Sequence, residues 1–407
     1  MSFFKRTIRD VPIDNKTVLI RADYNVPLSK NGTISDDLRI RASLPTIEYL
    51  LDHNAKVVIM SHLGRPEGRQ SKDSLKPIAK RLSELLGRKV IFVNDCIGDK
   101  VVQAVKKAPA NSVILLENLR YYKEEEANDS NFAQNIAKST GARYFVQDGF
   151  GVVHRAHAST EAITHFIPSV SGLLLEREYV TITGAMEKPQ RPLVAVMGGA
   201  KVSDKITVIE RFVGIADKII IGGAMSNTFL KYKGHDMGIS KVEEGQEEVL
   251  DSIYLAAHKK LDTSIDDFII LPKDVAAATE ISEIAKRKNV KLGNLDPKDE
   301  ALDIGTASIE QMVEEISKAK TVIWNGTLGY AELPEFAHGS ARLALALGTQ
   351  PKTTSIIGGG DTADFVLKWD GEGGKSFTHV STGGGASLEL MAGKKLPGIE
   401  SLLDAPR

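Results

Sequence analysis

One pattern constrains this chain more than any other, and it runs twice. Runs of β-branched residues alternate with stretches of helical period through the first 170 residues, and the alternation restarts after residue 190. In the first series strands are expected at 17–23, 56–62, 90–95, 112–118 and 143–148, with helices such as 44–53, 75–86, 100–108 and 131–139 between them. The second series places strands at 193–197, 218–222, 267–271, 321–324 and 354–357, with helices that include 204–213 and 309–319. Alternation of this kind buries its apolar surface as a parallel sheet with helices on both faces. Residues 172–187 read as one further helix, ended by Lys188-Pro189-Gln190-Arg191-Pro192, because two prolines so close cannot continue it. The expectation is an α/β protein of two doubly wound, Rossmann-like parallel-sheet domains: 1–171, an interdomain helix at 172–188, and a second domain from 189 onward. The length agrees, since 407 residues exceed the roughly 250–300 that one core spans.

Charge and cysteine content narrow the function classes. A net charge of -1 gives no reason to expect nucleic acid or a membrane surface as partner. The charge is uneven, however. Residues 1–170 hold 25 Lys+Arg against 19 Asp+Glu, which leaves 27 against 34 for the rest. A basic half suits a protein that holds a small anion there. The lone Cys96 cannot form an internal disulfide and reads as a small buried apolar residue, which fits a reducing compartment. The opening Met-Ser-Phe-Phe-Lys-Arg lacks the apolar core of a signal peptide, and no apolar run approaches the ~18 residues of a membrane span. The triplet Asn31-Gly32-Thr33 is then a chance match to a glycosylation site, and a cytoplasmic location is expected.

Ligands of open parallel sheets bind beyond the carboxyl ends of the strands. In the first series those ends read Arg21-Ala22-Asp23-Tyr24-Asn25-Val26-Pro27, Ser61-His62-Leu63-Gly64-Arg65-Pro66, Leu116-Glu117-Asn118-Leu119-Arg120, and Gln147-Asp148-Gly149 running on to His154-Arg155-Ala156-His157. Arg39, Arg65, Arg120 and Arg155 can converge there with His62, Asn25 and His157. Guanidinium forks bind carboxylate and phosphate bidentately, so a small substrate with several negative charges is the natural occupant. Asp23 can orient an arginine or accept a substrate hydroxyl.

The second series carries glycines at its strand ends. Gly198-Gly199-Ala200-Lys201-Val202-Ser203-Asp204-Lys205, Gly358-Gly359-Gly360-Asp361-Thr362 and Thr382-Gly383-Gly384-Gly385 each lie between strand and helix. Glycine lets backbone amides approach a phosphate, and the helix N-terminus favours its charge. Lys201 and Lys205 add mobile point charges. Asp361 suits magnesium, which takes few protein ligands and keeps water and phosphate oxygens. Other motifs fail. Gly374-Lys375-Ser376 resembles the end of a Walker A loop, but Trp369 occupies the position where that motif needs glycine. No G-x-G-x-x-G follows the first strand, and no G-x-S-x-G or zincin histidine pair occurs. A site of positioned charges without a nucleophile–base pair is what direct phosphoryl transfer requires.

The motifs at 21–27, 61–66, 115–120, 148–160, 198–205, 324–326, 358–362 and 383–398 resemble, in order and over nearly the whole length, those of the phosphoglycerate kinase family. That resemblance implies reversible, magnesium-dependent phosphoryl transfer between 1,3-bisphosphoglycerate with ADP and 3-phosphoglycerate with ATP, by a monomer whose domains close about a hinge. It implies that Asp23 and Asn25 bind the glycerate end, that Arg39 meets the transferring group, and that His62, Arg65, Arg120 and Arg155 complete the substrate patch. On the nucleotide side it implies Gly199, Lys201, Lys205, Gly359, Gly360 and Thr362 at the phosphates, Glu332 at the ribose, and Asp361 at Mg²⁺. Lys205 would also follow the transferred group, to which Gly384 and its neighbours would offer amides. The family's last residues return to the first domain, which assigns 391–407 there and leaves 189–390 to the nucleotide. The chain departs from the family pattern at Ala22 and Tyr24, and again at Ala224, Thr306 and Thr327. The last three lie around the adenine and ribose pocket and leave the base preference open. Two rival readings remain beside this one: a kinase for another small carboxylate or hydroxy acid, and a nucleotide-binding protein without catalysis. Retention of Arg39, Lys201, Lys205 and Asp361 weighs against the second.

Overall fold

The computed structural model describes residues 3–29, 31–261 and 264–406. The outermost residues of the expected first domain, Met1 and Arg407, lie outside that set. The chain divides into two compact units, Met1–Val180 with Lys395–Arg407, and Thr181–Lys394. The division falls inside the helix Leu173–Glu187.

Unit 1 is built on six parallel strands: β1 (Thr17–Arg21), β2 (Lys56–Met60), β3 (Val90–Val93), β4 (Val113–Leu116), β5 (Tyr144–Gln147) and β6 (Ser169–Ser171), in the order β3-β4-β2-β1-β5-β6. Alternate side chains serve two cores, as the two-residue period of a strand demands. Val18, Ile20, Val57 and Ile59 enter one, and Leu19, Val58, Met60 and Ile114 the other. Burial on both faces explains why these strands read as continuous apolar runs. The helix Leu38–Asp52 is longer than the sequence suggests, because it accommodates Pro45 in its interior. Arg39 therefore stands on a first helical turn.

Unit 2 repeats the plan with β7 (Leu193–Met197), β8 (Lys218–Ile221), β9 (Ile269–Ile270), β13 (Thr321–Asn325), β14 (Thr354–Gly358) and β15 (His379–Val380), in the parallel order β15-β14-β13-β7-β8-β9. The chain runs outward from β7, returns to the other side of it, and runs outward again, so direction reverses between β7 and β13. A second sheet that the sequence reading did not anticipate lies in the same unit: β10 (Asp274–Ala278), β11 (Lys288–Lys291) and β12 (Glu300–Ile304), antiparallel in the order β11-β10-β12. The expected strand at 267–271 shrinks to Ile269 and Ile270, because its first two residues end the short helix Ile265–Phe268. Among the described residues no helix is long and apolar enough to cross a membrane.

Candidate functional site

In unit 1 the ends of β1, β2, β4 and β5 lie side by side, and their loops are locked by side chains. Asn25 Oδ1 accepts from the Gly64 amide at 2.8 Å, and Asn118 ties the Leu63 carbonyl at 2.7 Å. Arg120 donates to the Gly64 carbonyl at 2.6 Å and lies 3.3 Å from Glu126. Arg39 donates to Asp23 Oδ2 at 2.8 Å, so that carboxylate orients the guanidinium, and a second bond to the Asn25 carbonyl spans 3.3 Å. Arg65 and Arg155 are exposed, and neither makes an ion pair among the described residues. Both push on the charge of Arg120, whose pKa burial lowers first. The sequence-derived set Asp23, Asn25, Arg39, His62, Arg120 is thus joined by direct contacts or shared loops, with Arg65 and Arg155 close enough to be felt.

Behind this surface lies a layer that sequence reasoning missed. Arg21 is fully buried. Its Nε donates to Ser159 Oγ at 2.7 Å, one terminal nitrogen bonds the Ala22 carbonyl, and the other lies 3.1 Å from His62 Nδ1 and 3.9 Å from Glu125. Glu125 in turn accepts from the Ser159 hydroxyl at 2.6 Å and its amide at 3.1 Å. Burial, and then the charge of Arg21, hold His62 well below the usual imidazole range, and the same causes take His157 down to about 4. Both rings are therefore neutral at pH 7, and the positive field belongs to the guanidinium groups. Glu125 belongs to the run Glu124-Glu125-Glu126, which reads as a solvated face; nothing in the sequence distinguishes its middle member.

In unit 2 the loops after β7 and β13 meet at the reversal point, where open sheets bind ligands. Gly198 N donates to the Asn325 carbonyl at 2.9 Å and Gly199 N to the Thr327 carbonyl at 2.8 Å. The approach is so close that a Cβ on Gly198 would stand 2.2 Å from the Thr327 carbonyl oxygen, and one on Gly326 would stand 2.3 Å from Gly198. Lys205 lies beneath this crossing, donating to the Gly198 carbonyl at 2.8 Å and the Asn325 carbonyl at 3.1 Å. Burial lowers its pKa to about 8, against the opposing pull of Asp361 and then Asp204. The Asn325 amide nitrogen is buried without a partner and faces Gly358 and Gly359. An orphaned donor at a glycine turn is a place for a phosphate oxygen. Thr362 Oγ1 accepts from Gly326 N at 2.7 Å, which joins the third loop to the first two. Gly360 and Asp361 open the helix Gly360–Asp370.

A pocket of about 290 Å³ extends from these loops. Gly199, Thr327, Glu332 and Asp361 line it, as do Ala224, Lys241, Ile281, Glu300, Leu302 and Tyr330. Lys241, Ile281 and Glu300 are absent from the sequence-derived set, because Glu300 opens β12, Ile281 lies in the loop between β10 and β11, and nothing in the sequence marks that small sheet. Lys201 is exposed and does not line the pocket. Nor does Gly384, whose left-handed backbone (φ 51°) opens the helix Gly385–Met391; that helix packs Ser387 and Met391 against Gly358. Among the described residues no three His, Cys, Asp or Glu side chains gather as a metal site. Asp361 stands alone beside the glycine turns, and a single carboxylate suits a magnesium ion that arrives with a polyphosphate and keeps its own water and phosphate ligands.

The sequence profile of the family described as "Phosphoglycerate kinase" matches residues 8–394. The chain is 47% identical over 403 residues to the phosphoglycerate kinase of Dictyoglomus turgidum, covering 98% of this chain and 99% of the relative. It is also 47% identical over 401 residues to that of Aquifex aeolicus, covering 98% of each. Its fold is similar to the phosphoglycerate kinase structures from Coxiella burnetii (36% identity) and Pyrococcus horikoshii (32%), each at a TM-score of 0.83 with 98% of both chains covered.

Proposed function

This chain belongs to the phosphoglycerate kinase family, and from that premise we propose how its two units share the reaction. The enzyme is a glycolytic kinase that moves a phosphoryl group between 1,3-bisphosphoglycerate with ADP and 3-phosphoglycerate with ATP. In our reading unit 1 holds the glycerate. Asp23 and Asn25 meet its hydroxyl end, while His62, Arg65, Arg120 and Arg155 grip the phosphate and carboxylate charges. Unit 2 holds the nucleotide: Gly199, Lys201, Lys205, Gly359, Gly360 and Thr362 at the phosphates, and Glu332 at the ribose. Asp361 would hold the magnesium ion, which when bound neutralises and orders the polyphosphate oxygens. The observation that carries this reading is that, among the described residues, Arg65 and Arg155 in one unit and the Asn325 amide in the other are cationic or N–H donors without side-chain partners, at or beyond the ends of the strands of an open sheet.

The nucleophile is a carboxylate oxygen that is already ionised, so no general base is needed. The task left to the protein is alignment and charge neutralisation. Arg39, oriented by Asp23, meets the transferring group from unit 1. Lys205 and the amides around Gly384 meet it from unit 2 and spread its charge. Substrates that start on separate units require a closure of one toward the other, which also removes water that would hydrolyse the acyl phosphate. A monomer working in the cytoplasm suffices for this cycle.

The test is a coupled assay with 3-phosphoglycerate and MgATP, in which bisphosphate formation is followed by NADH loss. Arg39→Ala is expected to lower kcat by about 10²-fold or more, the scale of one lost transition-state donor. An Arg39→Ala enzyme within threefold of wild type would remove Arg39 from the transferring group.

A further inference from the structure

The nucleotide pocket has two walls of different origin. Gly199, Thr327 and Asp361 come from the strand ends of the large sheet; Glu300 and Leu302 come from β12 of the small antiparallel sheet, Ile281 from the loop after β10, and Lys241 from the segment bonded to that sheet. The phosphate-binding groups belong to the first wall, so the base of a nucleotide held there faces the second. That second wall carries two opposite charges. Glu300 opens β12, where it pairs with Ala278, and the next amide, Ala301 N, donates to Ser240 Oγ at 2.8 Å. Lys241 follows Ser240 directly, and its carbonyl accepts from Asn227 Nδ2 at 3.2 Å. One hydrogen bond between neighbouring residues thus fixes both backbones at the pocket. The carboxylate feels the ammonium: burial raises the pKa of Glu300 and Lys241 lowers it. Yet neither side chain makes a hydrogen bond or ion pair among the described residues.

We propose that Glu300 and Lys241 read the polar edge of a guanine, so that this kinase uses guanine nucleotides at least as well as adenine nucleotides. The proposal rests on the reading of this pocket as the nucleotide site. An ionised carboxylate offers only acceptors and an ammonium only donors. Guanine presents a ring N1–H and a 2-amino group side by side, two donors that match the two oxygens of Glu300. Its O6 is an acceptor and takes Lys241. Adenine presents one amino donor for Glu300 and the N1 lone pair for Lys241, which leaves the second carboxylate oxygen without a donor. Ile281, Leu302 and Tyr330 leave the apolar faces needed by either purine, so the discrimination falls to the charged pair.

The experiment compares kcat/KM for MgATP, MgGTP and MgITP in the coupled assay, with calorimetric Kd values for MgADP and MgGDP as a readout independent of turnover. Wild type is expected to use GTP as well as ATP or better. ITP, which lacks the 2-amino group, is expected to fall several-fold below GTP. Glu300→Gln is expected to move the GTP-to-ATP ratio about tenfold toward ATP, the scale of one lost bidentate base contact. Robust ATP turnover with GTP more than tenfold poorer, and MgADP bound more than tenfold tighter than MgGDP, overturns the proposal and leaves the kinase reading intact. Equal use of ITP and GTP overturns the carboxylate contact to the 2-amino group. Absence of turnover with every nucleotide overturns the kinase reading instead.

Discussion

Lys205 carries its charge where water cannot easily reach it, so with Lys205 at the nucleotide phosphates, as proposed, nucleotide capture is expected to depend on pH. Its pKa of about 8, against an ordinary 10.5, means that the folded protein holds this proton less tightly than the unfolded chain. Between those two values the unfolded chain binds more protons, so folding stability gained from this group rises with pH. Affinity for polyphosphate moves the other way, because the free enzyme loses the ammonium as pH rises through about 8. The kcat/KM for MgATP, which reports groups of the free enzyme, is expected to fall through that value in wild type. It should stay level there in Lys205→Arg, whose guanidinium does not titrate. A wild-type profile flat from pH 7 to 9 would show that Lys205 does not govern nucleotide capture. Glu125 gives the matching case in unit 1. Removing it by Glu125→Ala leaves Arg21 buried and charged without its counter-charge, a loss of about 3–5 kcal/mol in urea unfolding that Glu125→Asp should partly restore. Its KM for 3-phosphoglycerate should rise with it, since His62 leans on Arg21 at 3.1 Å. The exposed arginines were legible in the sequence because their residue type and their place after a strand both point outward. Arg21 and Glu125 were not, since a buried charge shows itself only through partners that are distant along the chain.

At the scale of elements, the glycine turns decide how closely two loops can cross. Gly326 has φ 93°, a backbone that side chains rarely adopt, and a Cβ there would meet the Gly198 backbone at 2.3 Å. Gly326→Ala is expected to destabilise unit 2 by about 2 kcal/mol or more and to weaken MgADP binding, both measurable by thermal unfolding with and without nucleotide. Unchanged melting and unchanged Kd would mean that the crossing is not rigid. Most large-sheet strands were readable because they are continuous apolar runs bounded by glycine or charge, whereas the edge strands β6 (Ser-Val-Ser) and β15 (His-Val) are too short and too polar to show as such. The small sheet was hidden for a physical reason: β10 reads Asp-Val-Ala-Ala-Ala and β11 reads Lys-Asn-Val-Lys, so neither has strand propensity of its own. β10 is a strand because β12 and the helix Thr306–Lys318 pack against it, and β11 because it pairs with β10; that hidden sheet supplies part of the pocket wall the sequence could not place. Pro45 misled in the opposite direction, moving the expected start of its helix to 44 where the structure begins at Leu38.

The whole molecule is organised so that its two ends close one unit. Residues 395–407 belong to unit 1 although unit 2 lies between them and the rest of it in sequence. Leu396, Ile399 and Leu402 are buried there. Lys5, itself buried, donates to the carbonyls of Glu400 and Leu402 at 2.8 and 2.9 Å and to Asp404 at 2.7 Å. Leu403 N reaches the Ser169 carbonyl of β6 at 3.0 Å. Most telling for function, Gly398 N bonds the Val153 carbonyl at 2.9 Å, two residues before Arg155, and a Cβ on Gly398 would crowd Val153 at 3.0 Å. The tail therefore braces the loop that carries Arg155 and His157. Ending the chain after Lys394 removes three buried apolar side chains, each contributing about 1.5–3 kcal/mol, and leaves the Lys5 ammonium without acceptors. Two units with separate cores need not unfold together, so calorimetry can assign the damage. In the full-length enzyme 3-phosphoglycerate should raise one transition and MgADP the other. Truncation should lower the first by several degrees or abolish it, raise the KM for 3-phosphoglycerate, and leave the Kd for MgADP within about twofold, because no residue of the nucleotide pocket belongs to the tail. Equal loss in both transitions would contradict this assignment and make the tail a brace for the molecule as a whole.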